Sequence, residues 1–284
     1  MVLEKQTVNP LFSVMRWYGK NIQHRGKWRV HSFLRNRFKL NKNKEFTVTH
    51  GGLRWQLNPS DYTQERFFWL GEMDAAEINQ IASRLSPGAV IFDVGANFGY
   101  YGIALANRLA RQCSVHSFEP FPDTLQRLRT NIALNQMQDV VKSVPFGLAD
   151  SAGTGTMVAK EGHSGGAHFD AHPQQSTGPQ VALTTLDEYC SANDVRRIDF
   201  IKIDVEGYEG KVINGGRIAL KTFKPLLMVE FNPVTMAKAN ARMETLRDDL
   251  IALGYKLFHI RQGILHPLAR LPHGRDYINV FCLP

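Results

Sequence analysis

Apolar residues along this chain follow two rhythms, and each switch between them marks an element. Between residues 10 and 40 the spacing of Leu11, Val14, Met15, Tyr18 and Ile22 predicts one or two amphipathic helices. Alternation follows, with Phe46, Val48, Leu53, Trp55 and Leu57 on either side of Gly51-Gly52, which predicts a small hairpin. Asn58-Pro59-Ser60-Asp61 turns the chain, and Phe67-Phe68-Trp69-Leu70 forms an apolar knot. Asp74 is a candidate N-cap for a helix through Leu85, with Ala76, Ile78, Ile81 and Leu85 on its apolar positions.

From Val90 onward, short apolar runs alternate with helical patterns. Strands are expected at 90–94, 114–118, 140–144, 198–203 and 226–230, with helices reaching about 110 and over 123–135, 209–220 and 234–253. Strands over 154–160 and 180–184 pair around a long polar loop, and 184–190 reads as a short capped helix. Strands at 255–260 and 277–282 look antiparallel across a loop holding Gly263, Pro267 and Pro272. Strands alternating with helices in this order predict a doubly wound, mostly parallel α/β sheet.

Chemistry concentrates where the strands end. Val90-Ile91-Phe92-Asp93-Val94-Gly95-Ala96-Asn97-Phe98-Gly99-Tyr100-Tyr101 reads as a buried strand that feeds a helix through a tight glycine loop. Asp93, at the carboxyl end of that strand, is expected to face the crevice where open α/β sheets bind ligands. A dinucleotide fingerprint would need glycine at 97 and 100, where Asn97 and Tyr100 stand, and no Lys-Ser/Thr pair makes a phosphate loop. The pattern D-x-G-x-N-x-G instead resembles the first motif of methyltransferases that use S-adenosylmethionine (SAM), a ligand without a pyrophosphate.

The second strand ends in Glu119-Pro120-Phe121. An acid at this distance from the glycine loop is where a ribose diol finds its carboxylate acceptor, and Phe121 is placed to cover an adenine face. The loop after the third strand offers backbone near Gly147 and Leu148 to the same adenine. The fourth strand ends in Asp204-Val205-Glu206-Gly207-Tyr208-Glu209, and the fifth in Glu230. Carboxylates at these strand ends lie where chemistry belongs in such a sheet. If the fourth strand continued, Asp204 and Glu206 would share a face. Glu209 is alternatively the first residue of the next helix, favoured there by the helix dipole. His163 and His168 in the long loop are further candidate general bases, with a bystander role as the alternative.

Composition adds a boundary condition. The net charge of +8 belongs to residues 1–45, which carry eleven Lys and Arg against Glu4 and Glu45, and the remaining body is close to neutral. Three readings of the basic segment stand open: a helical appendage packing on the body or on a second subunit (a homodimer), contact of residues 10–44 with an anionic membrane or glycolipid, and nucleic-acid binding. Cys113, Cys190 and Cys282 are widely spaced and odd in number, which suits free thiols in a reducing compartment. No run approaches eighteen apolar residues and the N-terminus lacks a secretory layout, so the expectation is a cytoplasmic protein, with the inner membrane face as a peripheral station.

Taken together, Asp93-Val-Gly-Ala-Asn97-Phe-Gly99-Tyr-Tyr, Phe118-Glu119-Pro120, Asn131-x-x-x-Asn135, Thr185-Leu-Asp187 and Phe200-Ile-Lys202-Ile-Asp204-Val-Glu206-Gly207-Tyr-Glu209 resemble the FkbM family of SAM-dependent methyltransferases over residues 72–283. The resemblance implies a seven-stranded class I (Rossmann-like) fold with the last strand inserted antiparallel, and O-methylation of a sugar or secondary-metabolite hydroxyl. It partitions the chain into a basic helical extension (1–45), a hairpin connector (46–71) and a methyltransferase domain (72–284). Asp93, Gly95, Ala96, Asn97, Gly99 and Tyr100 would then hold the methionine end of SAM, Glu119, Pro120 and Phe121 the ribose and adenine, with Gly147 and Leu148 beside them. Asp204 and Glu206 would position and deprotonate the acceptor, with Glu230 in reserve. No metal is assigned, although clustered carboxylates also suit a divalent cation. Alternatives are a ribose 2′-O-methyltransferase, against which the acidic site argues, and a non-catalytic scaffold of the same fold.

Overall fold

A computed structural model describes residues 10–22, 24, 26–38, 44–71, 73–159, 166–169, 178–261, 263–274 and 276–284. His163 lies outside them. The chain divides into two compact units, one within the first 73 residues and one from Asp74 onward.

The first unit holds helices α1 (Pro10–Asn21) and α2 (Lys27–Arg37), hairpin strands β1 (Phe46–His50) and β2 (Leu53–Leu57), and helix α3 (Tyr62–Leu70). The hairpin registers Val48 opposite Trp55, so the alternating apolar residues share one buried side. The apolar knot at 67–70 is the end of α3. Asp61 starts that helix by accepting from the Thr63 and Gln64 N–H groups, and Gly71 ends it in the left-handed region at φ 79°. Phe12 of α1 packs on Trp69 and Phe46, with ring centroids 4.7 and 5.2 Å apart. His31 lies between Trp28 and Trp69, and burial, aided by Arg35, pushes its pKa down to about 4. Arg35 itself forms a buried ion pair with Glu65.

In chain order, the second unit contains α4 (Ala75–Ala82), β3 (Ala89–Val94), α5 (Tyr100–Arg108), β4 (Cys113–Phe118), α6 (Pro122–Leu134), β5 (Val141–Val144), β6 (Gly147–Leu148), β7 (Gly153–Val158), β8 (His168–Phe169), β9 (Gln180–Thr184) and α7 (Leu186–Ala192). It continues with β10 (Phe200–Ile203), α8 (Glu209–Asn214), α9 (Arg217–Phe223), β11 (Leu226–Phe231), α10 (Pro233–Lys238), α11 (Met243–Ala252), β12 (Lys256–Arg261), β13 (Ile264–Pro267) and β14 (Ile278–Leu283).

The main sheet has the order β13-β12-β14-β11-β10-β3-β4-β5. Strands β11, β10, β3, β4 and β5 run parallel, and β14 is inserted antiparallel to both β11 and β12. Every residue of β10 and β11 is buried, as expected of strands covered on both faces. From β3 the chain winds outward through β4 and β5, then returns to add β10 on the other flank. The gap between β3 and β10 is therefore the topological switch point, where the ends of parallel strands open a crevice.

Four expectations are corrected. The sheet has eight strands among the described residues, because β13, hidden in a Gly/Pro-containing loop, pairs antiparallel with β12. The helix expected at 209–220 is two helices separated at Gly215-Gly216. Asp187 accepts from the Ile218 and Ala219 N–H groups and so anchors the start of α9. The helix expected at 234–253 breaks between Lys238 and Met243, where Asn240 sits at φ 53°. Asp74 precedes α4 but makes no capping bond with its side chain. It accepts from the Tyr101 hydroxyl at 2.9 Å instead. The strands expected at 154–160 and 180–184 do pair, as β7 and β9 of a second sheet ordered β6-β9-β7-β8.

Candidate active site

The glycine loop joins β3 to α5 with no slack. Gly95 has φ 76°, and a Cβ there would overlap the Asp204 carbonyl, so only glycine fits. Its N–H and that of Ala96 both donate to the Phe118 carbonyl, at 3.1 and 2.9 Å, tying the loop to the end of β4. Asn97 is also left-handed at φ 50°, a conformation that asparagine tolerates better than most residues. Asn131 of α6 donates through Nδ2 to the Phe98 carbonyl at 2.8 Å, which gives the Asn131-x-x-x-Asn135 spacing a role in holding the loop. Gly99 is the N-cap of α5 and Tyr100, half-buried, its first residue.

Asp93 does not open onto the crevice. It is 1% exposed, and its Oδ2 accepts the Gly102 N–H at 3.0 Å. Its carboxylate fixes the start of α5 from below, and burial raises its pKa against the pull of Lys202.

Glu119 is 6% exposed and clasps the turn on both sides. Oε2 accepts from Asn97 N–H and Oε1 from Phe121 N–H, each at 2.9 Å. Burial outweighs these bonds and lifts its pKa to about 7. Pro120 and Phe121 are half-buried and lead into α6, for which Phe121 is the N-cap. Gly147 and Leu148 are buried and pair in parallel with Leu183 and Thr184, so much of their backbone is engaged in the second sheet.

The acidic cluster is organised by a residue to which the sequence reading gave no role. Lys202, in the middle of β10, is buried, and its Nζ lies 3.2 Å from Asp204, 3.8 Å from Asp93 and 3.3 Å from the Gly95 carbonyl. Burial works against its ammonium, but Asp204 and Asp93 prevail and raise its pKa. Because β10 ends at Ile203, Asp204 and Glu206 do not share a strand face as expected: Glu206 (φ 54°) and Gly207 (φ 102°) form a left-handed turn. Glu209 builds that turn from inside. It starts α8, is 1% exposed, and accepts from the Val205 and Gly207 N–H groups at 3.0 and 3.1 Å.

The parallel register places Ile203 beside Val229, so Asp204 and Glu230 follow at adjacent strand ends. Asn232 donates to Glu230 at 3.3 Å. Burial, with repulsion from Asp204 and Glu209, pushes Glu206 up to about 8, while burial and the three neighbouring carboxylates carry Glu230 well above the usual carboxylate range. Nearby, the Tyr208 ring meets Phe169 of β8 edge-on at 5.0 Å, bringing the second sheet to this end of the crevice. His168, next in chain, is half-buried with Nδ1 2.9 Å from the Gly166 carbonyl. Among the described residues no three His, Cys, Asp or Glu side chains are grouped so as to hold a metal ion.

The Methyltransferase FkbM domain family matches residues 93–257, more than half of the chain. Hexuronic acid methyltransferase AglP of Haloferax volcanii is 26% identical over 182 residues, covering 62% of this chain and 71% of that protein. The 2-O-methyltransferase NoeI of Sinorhizobium fredii is 32% identical over 154 residues, covering 50% of this chain and 63% of that one. A crystal structure of an FkbM methyltransferase from Methylobacillus flagellatus aligns with a TM-score of 0.48 at 15% identity, covering 76% of this chain and 52% of that one. The glycine loop, Glu119 and the acidic end of β10 all fall inside the family match, and the chain belongs to the FkbM methyltransferase family.

Proposed function

We propose that this chain transfers a methyl group from SAM to a hydroxyl of a sugar, in a glycan, a glycolipid or a small metabolite. The observation that carries the reading is the placement of Lys202 Nζ, 3.2 Å from Asp204 and 3.3 Å from the Gly95 carbonyl. One side chain ties the glycine loop to the acidic strand end, so a ligand seated on the first meets the second.

The residues of the loop fit SAM. Residues 95–101 contain no lysine or arginine for a phosphate, and Glu119 would repel one. Each Glu119 oxygen holds one backbone N–H and keeps acceptor capacity for a ribose hydroxyl. When bound, SAM supplies an electrophilic methyl on a sulfonium that departs as a neutral thioether.

The chain then has two tasks, alignment and proton removal. Alignment of an acceptor hydroxyl with the methyl contributes about 7–11 kcal/mol in well-oriented reactions. Asp204, in its ion pair with Lys202, accepts from the acceptor hydroxyl and orients it. Glu206, with a pKa of about 8, takes the hydroxyl proton as the new O–C bond forms, an effect of roughly 10²–10⁴-fold. Glu230, carried well above the usual carboxylate range by burial and its neighbouring carboxylates, hydrogen-bonds a neighbouring hydroxyl. An acceptor rich in hydroxyls suits this site, because each hydroxyl can both donate to and accept from the carboxyl groups of Asp204, Glu206 and Glu230.

The relatives' names support the substrate class, one being named for hexuronic acid and the other for 2-O-methylation. The test is transfer from methyl-labelled SAM to a panel of oligosaccharides, with and without hexuronic acid. Label that withstands mild alkali marks an ether at a hydroxyl, as proposed. Label released as methanol marks a carboxylate ester and contradicts the hydroxyl assignment.

A further inference from the structure

The outward faces of α1 and α2 mix cations with large apolar side chains. On α1, Val14 and Trp17 are exposed, Trp17 by 60%, while Lys20 donates to the Thr49 carbonyl at 3.2 Å. On α2, Arg29, Phe33 and Arg37 share one exposed side of the helix, and Phe33 is 67% exposed. The opposite faces carry Phe12, Met15, His31 and Arg35, all buried. Both helices are therefore packed already, and the exposed set is a second, outer stripe rather than an unfilled core.

Charge identifies what would cover it. Between Glu4 and Glu45 there is no acidic residue, against eleven Lys and Arg. A second copy of the same face would bring cation against cation. A nucleic-acid duplex would pair with the cations, but its stacked bases leave Val14 and Phe33 nothing to bury against. An anionic bilayer surface answers both halves: headgroups pair with the cations, while Trp and Phe enter the interfacial layer that suits amphipathic rings.

We propose that these faces of α1 and α2 dock the protein on an anionic lipid surface, with Trp17 and Phe33 as apolar anchors and Arg29 and Arg37 as headgroup contacts. Docking is independent of the methyltransferase reading and would present the enzyme to acceptors carried on lipid.

The test is co-sedimentation of the full chain with vesicles of phosphatidylcholine alone, or with about a third phosphatidylglycerol. Binding is expected to the anionic vesicles only and to fall on raising salt to about 0.5 M. Arg29→Gln with Arg37→Gln should weaken it roughly 30-fold, at about fivefold per cation. Trp17→Ser with Phe33→Ser should weaken it by about tenfold or more. All four positions are exposed, and unchanged melting curves would establish that the variants fold. No binding to anionic vesicles, or binding untouched by either pair, overturns the proposal. So does competition by a duplex oligonucleotide with Trp17 and Phe33 making no difference, which would assign the face to nucleic acid. A wild-type dimer that Trp17→Ser with Phe33→Ser converts to monomer would assign it to a second copy and overturns the proposal equally.

Discussion

The ammonium of Lys202 sits 3.2 Å from the Asp204 carboxylate and 3.3 Å from the Gly95 carbonyl, so one buried cation serves the glycine loop and the acidic strand end together. Asp93 lies 3.8 Å away on the other side. Replacing the lysine would strand one wholly buried carboxylate and release another at the crevice.

Lys202→Met is therefore expected to cost about 3–5 kcal/mol, the usual penalty for breaking a buried ion pair from one side. Urea unfolding measures this directly. Lys202→Arg keeps the charge and should lose less. A methionine variant within about 1 kcal/mol of the wild type would show that the pair is not structural.

Gly95→Ala tests the loop itself. The left-handed backbone alone costs a side chain about 1–2 kcal/mol, and the added methyl would also run into the Asp204 carbonyl. The expected result is a lower melting temperature together with loss of SAM binding, read by titration calorimetry. Retained affinity would mean that the loop does not form the cofactor seat.

Much of this site is legible in the sequence because glycine spacing and acids at strand ends each have a local cause. Glu119 and the 95–99 loop are examples. Lys202 is not legible in that way. It belongs to the Phe200–Glu209 motif, yet nothing local gives it a task, and only the β3–β10 pairing brings it to Asp93 and Gly95. Asp93 illustrates the converse: position at a strand end suggested a ligand contact, while its burial and its bond to Gly102 make it a support. Four consecutive apolar residues concealed the helical period of α3. The breaks inside the helices after β10 and β11 depend on tertiary anchors such as Asp187.

The pH dependence of turnover should report Glu206. With its pKa at about 8, the base is mostly protonated at pH 6.5. The rate of the chemical step should rise about tenfold per unit below that value and level off above it. Glu206→Gln should lower the plateau by roughly 10²-fold or more and flatten the profile. A wild-type profile already flat between pH 6 and 9 would place the base elsewhere.

Stability should run the opposite way. Glu119 and Glu209 at about 7, and Glu206 at about 8, all lie above the value of about 4.3 for an unfolded glutamate. In that window the folded state binds more protons than the unfolded state. Their contribution is complete below about pH 4 and is lost as pH rises through 7–8. The urea midpoint is expected to fall between pH 5.5 and 8.5, and Glu206→Gln should reduce that fall. A midpoint that rises over the same range would contradict these raised values.

The most direct measurement is a thermal melt with and without SAM, for the wild type and for Glu119→Ala. A ligand at 100 times its Kd stabilises the native state by about 2.7 kcal/mol, several degrees for a chain of this size. That shift is expected for the wild type and none for Glu119→Ala, each compared with its own ligand-free melt. No shift with SAM, alongside a clear shift with NAD, would contradict it.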